Sequence, residues 1–189
     1  MDEELLVRHC APTLAGLKTA NLFSCTCEDR EVLRQHLQRL NRDFVKKGLC
    51  ALPLRYRNGK ALIYVYRPQR LREDLKDREA VEILRRQGYG NQQPGRCLNR
   101  LIHRIQDSQD VPHEIGLFLG YPPEDVEGFM ERRKPCPCPG PWRVYGDAEK
   151  AQALFQRYRR CTRIYCEQWS KGKSIDQLTV PSREAELLN

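Results

Sequence analysis

The chain contains no apolar run near the roughly 18 residues that a membrane-crossing helix requires. Its first ten residues, MDEELLVRHC, begin acidic and show neither a basic n-region nor an apolar h-region, so no secretory signal is expected. Nucleotide-binding loops of the G-x-x-x-x-G-K-[ST] and G-x-G-x-x-G types do not occur. GYGNQQPG is rich in glycine, but it follows no strand. The zinc-protease motif H-E-x-x-H is missing as well; HEIGL carries only its first half. There is no C-x-x-C knuckle, no RGG or lysine-rich tail, no internal repeat and no low-complexity segment. These absences disfavour membrane proteins, P-loop and Rossmann enzymes, zincins and RGG-type nucleic-acid binders.

What remains reads as a soluble cytoplasmic protein. It has 189 residues, of which 40% are hydrophobic and 31% charged. That balance supports a buried core and argues against disorder. One domain is expected over residues 1–178, followed by a polar tail over 179–189. Nine cysteines is a high and odd number, so they cannot all pair within one molecule. A reducing compartment makes them thiols, ligands or small buried hydrophobes. The formal charge of +8 suits an acidic partner. The arginines are spread over nearly every helical segment, which reads as solvated surface, and nucleic-acid binding is not expected.

Local patterning predicts an α+β fold, with a small antiparallel sheet surrounded by five or more helices. A short helix from Glu3 should end near Pro12, and LKTANLF should form a strand. Thr26 is a candidate cap, with Asp29 at the capping-box position. Leu33, Leu37, Leu40 and Phe44 then make one apolar helix face, ended at Gly48. Two β-rich runs flank Asn58-Gly59, a type I′ hairpin signal. Leu52, Leu54 and Tyr56 share one parity, as do Leu62, Tyr64 and Tyr66. Asp77 should cap a helix that ends at Gly88. A loop and a helix bearing Leu98, Leu101, Ile102 and Ile105 follow, with His103 at the edge of that face. Pro112 opens a helix to Leu119 and Pro123 a second one; a strand over EIGLFLGY is the alternative. WRVY reads as a short strand. Asp147 caps a last long helix with a stripe of Ala151, Leu154, Phe155, Tyr158, Cys161, Thr162, Tyr165 and Trp169.

Three cysteine features could carry chemistry. Cys136 and Cys138, in a Pro-rich loop, could be a surface metal or redox pair. Adding Cys161 and Cys166 to make a four-thiolate site fails, since five residues turn a helix by about 140° beyond a full turn. Cys25 and Cys27 form a second C-x-C, just ahead of a helix start. Cys10 precedes His113 in the order seen in some cysteine hydrolases. Glu114 or Asp147 could orient His113, although Asp147 already serves as a cap.

RHCAPTLAGLKTANLF, ALIYVYR, PHEIGLFLGYPPEDVEGF and WRVYGD, followed by FQRYRRCTRIYC, together resemble a bacterial family catalogued as a domain of unknown function, number three thousand seven hundred and ninety-three. The resemblance covers about Glu4 to Leu178. Pro141 departs from it, since relatives often have Cys or Tyr there, which weakens a three-cysteine ligand set in this loop. The resemblance implies a small cytosolic protein, mostly of anaerobes, with relatives often encoded near flavodoxin and iron-uptake genes. It singles out His9, Cys10, Pro12, Gly16, Lys18, His113, Glu114, Gly120, Tyr121, Pro122, Trp142, Tyr145, Gly146 and Asp147. The glycines have a sufficient role in turns. Buried polar groups among the others need partners.

Two functions follow as expectations. One is a thiol-dependent or redox- or iron-linked protein with a catalytic site at Cys10, His113 and Glu114, together with His9, Lys18, Tyr121 and Trp142. The other is a non-catalytic binding or regulatory module whose basic helices dock an acidic protein such as a flavodoxin-like partner. No cofactor can be named from the sequence.

Overall fold

The computed structural model describes residues 2–90, 93–136 and 138–182. These residues fall into two compact units, the described residues of 1–69 and 160–189 in one and those of 70–159 in the other.

The first unit begins with helix α1 (Glu3–Leu14). The Asp2 carboxylate accepts the Glu4 N–H at 2.9 Å and caps it. The helix runs through Pro12 instead of stopping there. Pro12 cannot donate to the carbonyl one turn earlier, that of exposed Arg8, which water can satisfy. The Pro12 carbonyl instead collects the Leu17 and Lys18 N–H groups. Strand β1 (Ala20–Thr26) follows, as expected. Thr26 ends that strand and caps nothing. Asp29 is the cap of α2 (Arg30–Phe44), accepting from Glu31 and Val32. Leu33, Leu37, Leu40 and Phe44 are all buried, the face that their spacing requires.

Strands β2 (Cys50–Arg57) and β3 (Lys60–Tyr66) form the hairpin. Asn58 (φ 50°) and Gly59 (φ 68°) both take positive φ, as a type I′ turn demands. The antiparallel sheet has the order β1-β3-β2, with Phe23 opposite Ile63 and Ala51 opposite Val65. A bulge between Pro53 and Arg55 breaks the expected alternation, so Leu54 is buried while Leu52 and Tyr56 are half-buried. On β3 the residues that meet α1 and α2 are Ala61, Ile63 and Val65, and Tyr64 on the opposite parity is buried as well. The edge strand β2 is closed by Asn41 of α2. Its side-chain amide donates to the Ala51 carbonyl, and its side-chain oxygen accepts the Ala51 N–H, both at 2.8 Å.

The buried Arg67 guanidinium donates to the carbonyls of Thr13 (2.7 Å), Leu14 (2.8 Å) and Val180 (2.7 Å). It thereby satisfies the open C-terminal end of α1. The expected polar tail is consequently tied down at its start: Thr179 is buried, Val180 N–H bonds Leu14 and Ser182 N–H bonds Lys47. Residues 183–189 of that tail lie outside the described residues.

Helix α3 (Pro68–Asp74) leads into the second unit, which holds α4 (Arg78–Arg86), α5 (Pro94–Asp107), α6 (Ile115–Phe118) and α7 (Pro123–Met130). Asp77 caps α4 as expected. Positions 91–92 of the loop ahead of α5 and position 137 of the Cys136–Cys138 loop lie outside the described residues. His103 is exposed on α5. The helix pair replaces the strand alternative over EIGLFLGY, but α6 is one turn long and starts three residues after Pro112. WRVY is not a strand: Val144 takes one backbone bond, from Cys136, and the Tyr145 N–H turns to a carboxylate. Gly16 and Gly120 are turn glycines (φ 73° each), whereas Gly146 is there for contact, since a Cβ would lie 2.1 Å from Glu124 Oε1.

Helix α8 (Ala148–Ser170) begins at its Asp147 cap, and α9 (Ile175–Leu178) is the last helix among the described residues. In α8 the expected stripe holds: Ala151, Phe155, Tyr158 and Cys161 are buried.

Candidate site in the second unit

Two prolines and a carboxylate organise the site. Pro122 and Pro123 start α7, and Asp125 falls in its first turn. Asp125 is only 3% exposed. Its Oδ1 accepts the N–H groups of Tyr145 (2.6 Å) and Gly146 (2.9 Å), and its Oδ2 accepts Trp142 Nε1–H at 2.8 Å. A half-buried indole needs such an acceptor. Asp125 therefore fixes the loop ahead of α8 and the plane of Trp142. Tyr121 stacks on that indole with ring centres 4.3 Å apart, and Phe155 meets it edge-on at 4.5 Å.

The loop and the α6–α7 pair line an open pocket of about 370 Å³. Its walls are almost wholly apolar: Ile115, Val126 and Phe129 from the helices, then Tyr121 and Trp142. Two polar side chains with spare hydrogen-bonding capacity line it. His113 is exposed and meets Phe129 edge-on at 4.8 Å, and the Arg143 guanidinium lies 5.8 Å from the centre of the same ring. Neither forms an ion pair among the described residues. Asp125 reaches the cavity too, but its oxygens are already occupied by three N–H donors. The volume and lining are those of a small-molecule site.

The sequence-based candidates divide between the units. His113, Tyr121 and Trp142 converge on this cavity. Glu114 does not join them, because it is buried in a clamp, where Tyr89 O–H donates to it at 2.9 Å and Arg104 Nη1 lies at 3.0 Å. Arg104 also donates to the Gln87 carbonyl at 2.9 Å, so this clamp fastens α5 to the turns on either side. Asp147 is a helix cap, as its position suggested.

Cys10 and Lys18 lie in the first unit. Cys10 is on α1 with no exposed surface. Burial pushes its thiol well above the ordinary range, against a smaller opposing pull from Lys18. Lys18 is 4% exposed and donates to the Ala20 carbonyl. Burial lowers its ammonium from 10.5 to about 7, opposed by Cys10. His9 is exposed and stacks on Phe23 at 5.5 Å. Cys136 and Cys138 are half-buried beside Val144, Ala151, Phe155 and Trp142. Among the described residues no three His, Cys, Asp or Glu side chains converge as metal ligands.

Asp125, Phe129 and Arg143 escaped the sequence reading. Asp125 looked like an ordinary first-turn acid. The usable signal was Trp142, whose indole N–H in an apolar setting demanded an acceptor.

A second hollow, in the first unit, mixes Glu3, His36, Arg39, Asp43 and Asp176 with Leu40, Phe44 and Ile175. Asp43 and Asp176 are already paired with Lys46 and Lys47. This hollow has no aromatic wall apart from Phe44, which belongs to the core.

A family model described as a protein of unknown function (DUF3793) matches residues 6–179, and the chain belongs to that family. No curated protein matches the chain, and no solved structure does.

Proposed function

We propose that this family member is a binding module whose second unit takes a small anionic ligand with a flat apolar body. The observation that carries the reading is the cavity itself: an aromatic slot of ligand size with Arg143 and His113 as its available polar groups. The slot suits a planar hydrocarbon surface, and a guanidinium selects a carboxylate or similar anion. The thiol-enzyme reading gains nothing from Cys10, since a buried thiol with a raised pKa supplies no thiolate to solvent.

The test is calorimetric titration with 2-naphthoate and with its uncharged analogue 2-naphthylmethanol. Saturable one-to-one binding that prefers the carboxylate about tenfold is expected, with the preference lost in Arg143→Met. That factor corresponds to about 1.4 kcal/mol, in the range of one charge-assisted hydrogen bond. Equal affinity for both compounds, unchanged by the substitution, sinks the reading.

A second reading keeps an acidic protein, flavodoxin-like in its surface chemistry, as partner. It draws on α2, where Arg39 and Arg42 line a shallow hollow with Gln35 and Gln38. Arg39→Glu with Arg42→Glu should abolish salt-sensitive capture of such a protein while leaving naphthoate binding unchanged; capture that survives both changes rules this surface out.

A further inference from the structure

We propose that Cys136 and Cys138 form a reversible dithiol–disulfide site, oxidised by low-molecular-weight disulfides, whose state is transmitted to the Trp142 wall of the cavity.

The chain has two C-x-C pairs, and their backbones differ. Cys25 and Cys27 continue an extended run. Cys25 pairs with Ala61 in the sheet, and Cys27 N–H bonds the Gly59 carbonyl at 2.8 Å. Extended residues two apart are separated by about 6.6–6.8 Å, the outer limit that a disulfide bridges. Cys25 is also buried. At the second pair, the Cys138 N–H donates directly to the Cys136 carbonyl at 2.7 Å. A hydrogen bond between residues two apart does not form in an extended run, so this pair is not held at the extended spacing.

The two sulfurs also share surroundings. Cys136 Sγ lies 3.6 Å from the Gly146 carbonyl, and Cys138 Sγ lies 3.8 Å from the Ala148 carbonyl. These carbonyls are two residues apart, like the thiols that face them. Both side chains rest on the Val144, Ala151 and Phe155 cluster. They are half-buried, whereas Cys10, Cys97 and Cys161 are buried. Oxidation sacrifices only two weak S–H contacts.

The chemistry balances by thiol–disulfide exchange. The thiolate of one cysteine attacks a sulfur of R–S–S–R, making a mixed disulfide and releasing R–S⁻, which takes up the attacking thiol's proton. The second thiolate attacks the cysteine sulfur of that mixed disulfide. The Cys136–Cys138 bond forms, and a second R–SH leaves. Two protein thiols are oxidised and one external disulfide is reduced to two thiols. Coupling to the cavity runs through the Cys136 N–H, which bonds the Val144 carbonyl at 2.7 Å, two residues from Trp142. Trp142 packs on the same cluster as both cysteines.

The test uses the full chain in glutathione buffers of increasing oxidised fraction, with free thiols alkylated and peptides weighed. The expected result is joint loss of alkylation at Cys136 and Cys138, their peptide lighter by two hydrogens, restored by reduced glutathione. Trp142 emission, read in a Trp169→Phe background, should shift over the same titration. Cys138→Ser, checked for native circular dichroism, should stop at a glutathione adduct on Cys136; Cys136→Ser should stop at one on Cys138. A lasting glutathione adduct in the unsubstituted protein, or a bond from either cysteine to a different one, overturns the site. A disulfide that leaves Trp142 emission unmoved overturns the coupling.

Discussion

Replacing Lys18 by methionine should flatten the dependence of the first unit's stability on pH. Burial lowers the Lys18 ammonium to about 7 in the folded protein, against the ordinary 10.5 of an exposed lysine in the unfolded chain. Below pH 7 it is charged in both states, and the folded state bears the full cost of a buried ammonium. From pH 7 upward the folded state releases the proton while the unfolded state keeps it. The unfolded state then binds more protons, so stability rises with pH. The ceiling on the slope is about 1.4 kcal/mol per pH unit. Cys10 acts in the opposite sense. Its folded pKa is raised above the ordinary 9.0, so above pH 9 the unfolded thiol ionises first and stability falls. The net expectation is a gain of about 2 kcal/mol between pH 6 and 9, levelling off above that.

Methionine retains most of the stem and removes the charge. The Ala20 carbonyl loses its donor, at about 1–3 kcal/mol, but that loss is the same at every pH. Urea unfolding at pH 6, 7, 8 and 9, followed by Trp169 emission in a Trp142→Phe background, isolates the first unit. Subtracting the variant from its parent cancels the other titrating groups. Parallel curves for the two proteins would falsify the assignment of a neutral, buried amine to Lys18.

Other consequences can be checked alongside. Asp125→Ala strands three N–H donors and should cost the second unit about 3 kcal/mol in urea unfolding, with Trp142 emission moving to the red; a loss under about 0.5 kcal/mol contradicts its role as the loop's anchor. Glu114→Gln preserves shape but leaves Arg104 unmatched, and about 1–2 kcal/mol of stability should go, with naphthoate affinity unchanged; altered affinity instead would place Glu114 in the site. Native iodoacetamide labelling should mark Cys136 well before Cys161, whose thiol burial pushes up to about 11; equal rates would put Cys161 outside the core. Gly116→Ala brings a methyl within 2.7 Å of Val126 and 3.1 Å of Tyr121, so a loss of about 1–3 kcal/mol and weaker naphthoate binding are expected, and neutral behaviour would show that the α6–α7 contact is loose.

What could be read ahead of the structure was what repeats or what needs a special backbone. Leu33, Leu37, Leu40 and Phe44 announce a buried face because only a helix aligns them. Asn58-Gly59 announces a turn because few other pairs tolerate positive φ twice. The errors share a different cause, namely local signals outvoted by tertiary bonds. Pro12 looked like a stop, yet the turn beyond it uses its carbonyl and Arg67 completes the helix end from more than fifty residues away. WRVY has β-forming residues, but Asp125 takes the N–H of Tyr145 that a strand ladder would have used. Thr26 and Asp29 both fit a cap; the sheet claims Thr26 for β1 and leaves Asp29 to the helix.

In the second unit the two buried carboxylates are both committed to the scaffold. A base working on a bound ligand needs a neighbour that fixes its tautomer and direction. Glu114, the residue next to His113, is committed to Tyr89 and Arg104. Asp125, the other buried carboxylate, spends both oxygens on the loop that carries Trp142. Both acids are thereby spent on holding helices and loops in place. His113 is held by an edge contact with Phe129 and Arg143 lies over the same ring, so both present charge or hydrogen bonds to whatever fills the slot. An aromatic slot lined by Arg143 and His113, with both acids turned to the scaffold, is the basis of the proposed anion site, so charge preference is the property to measure first.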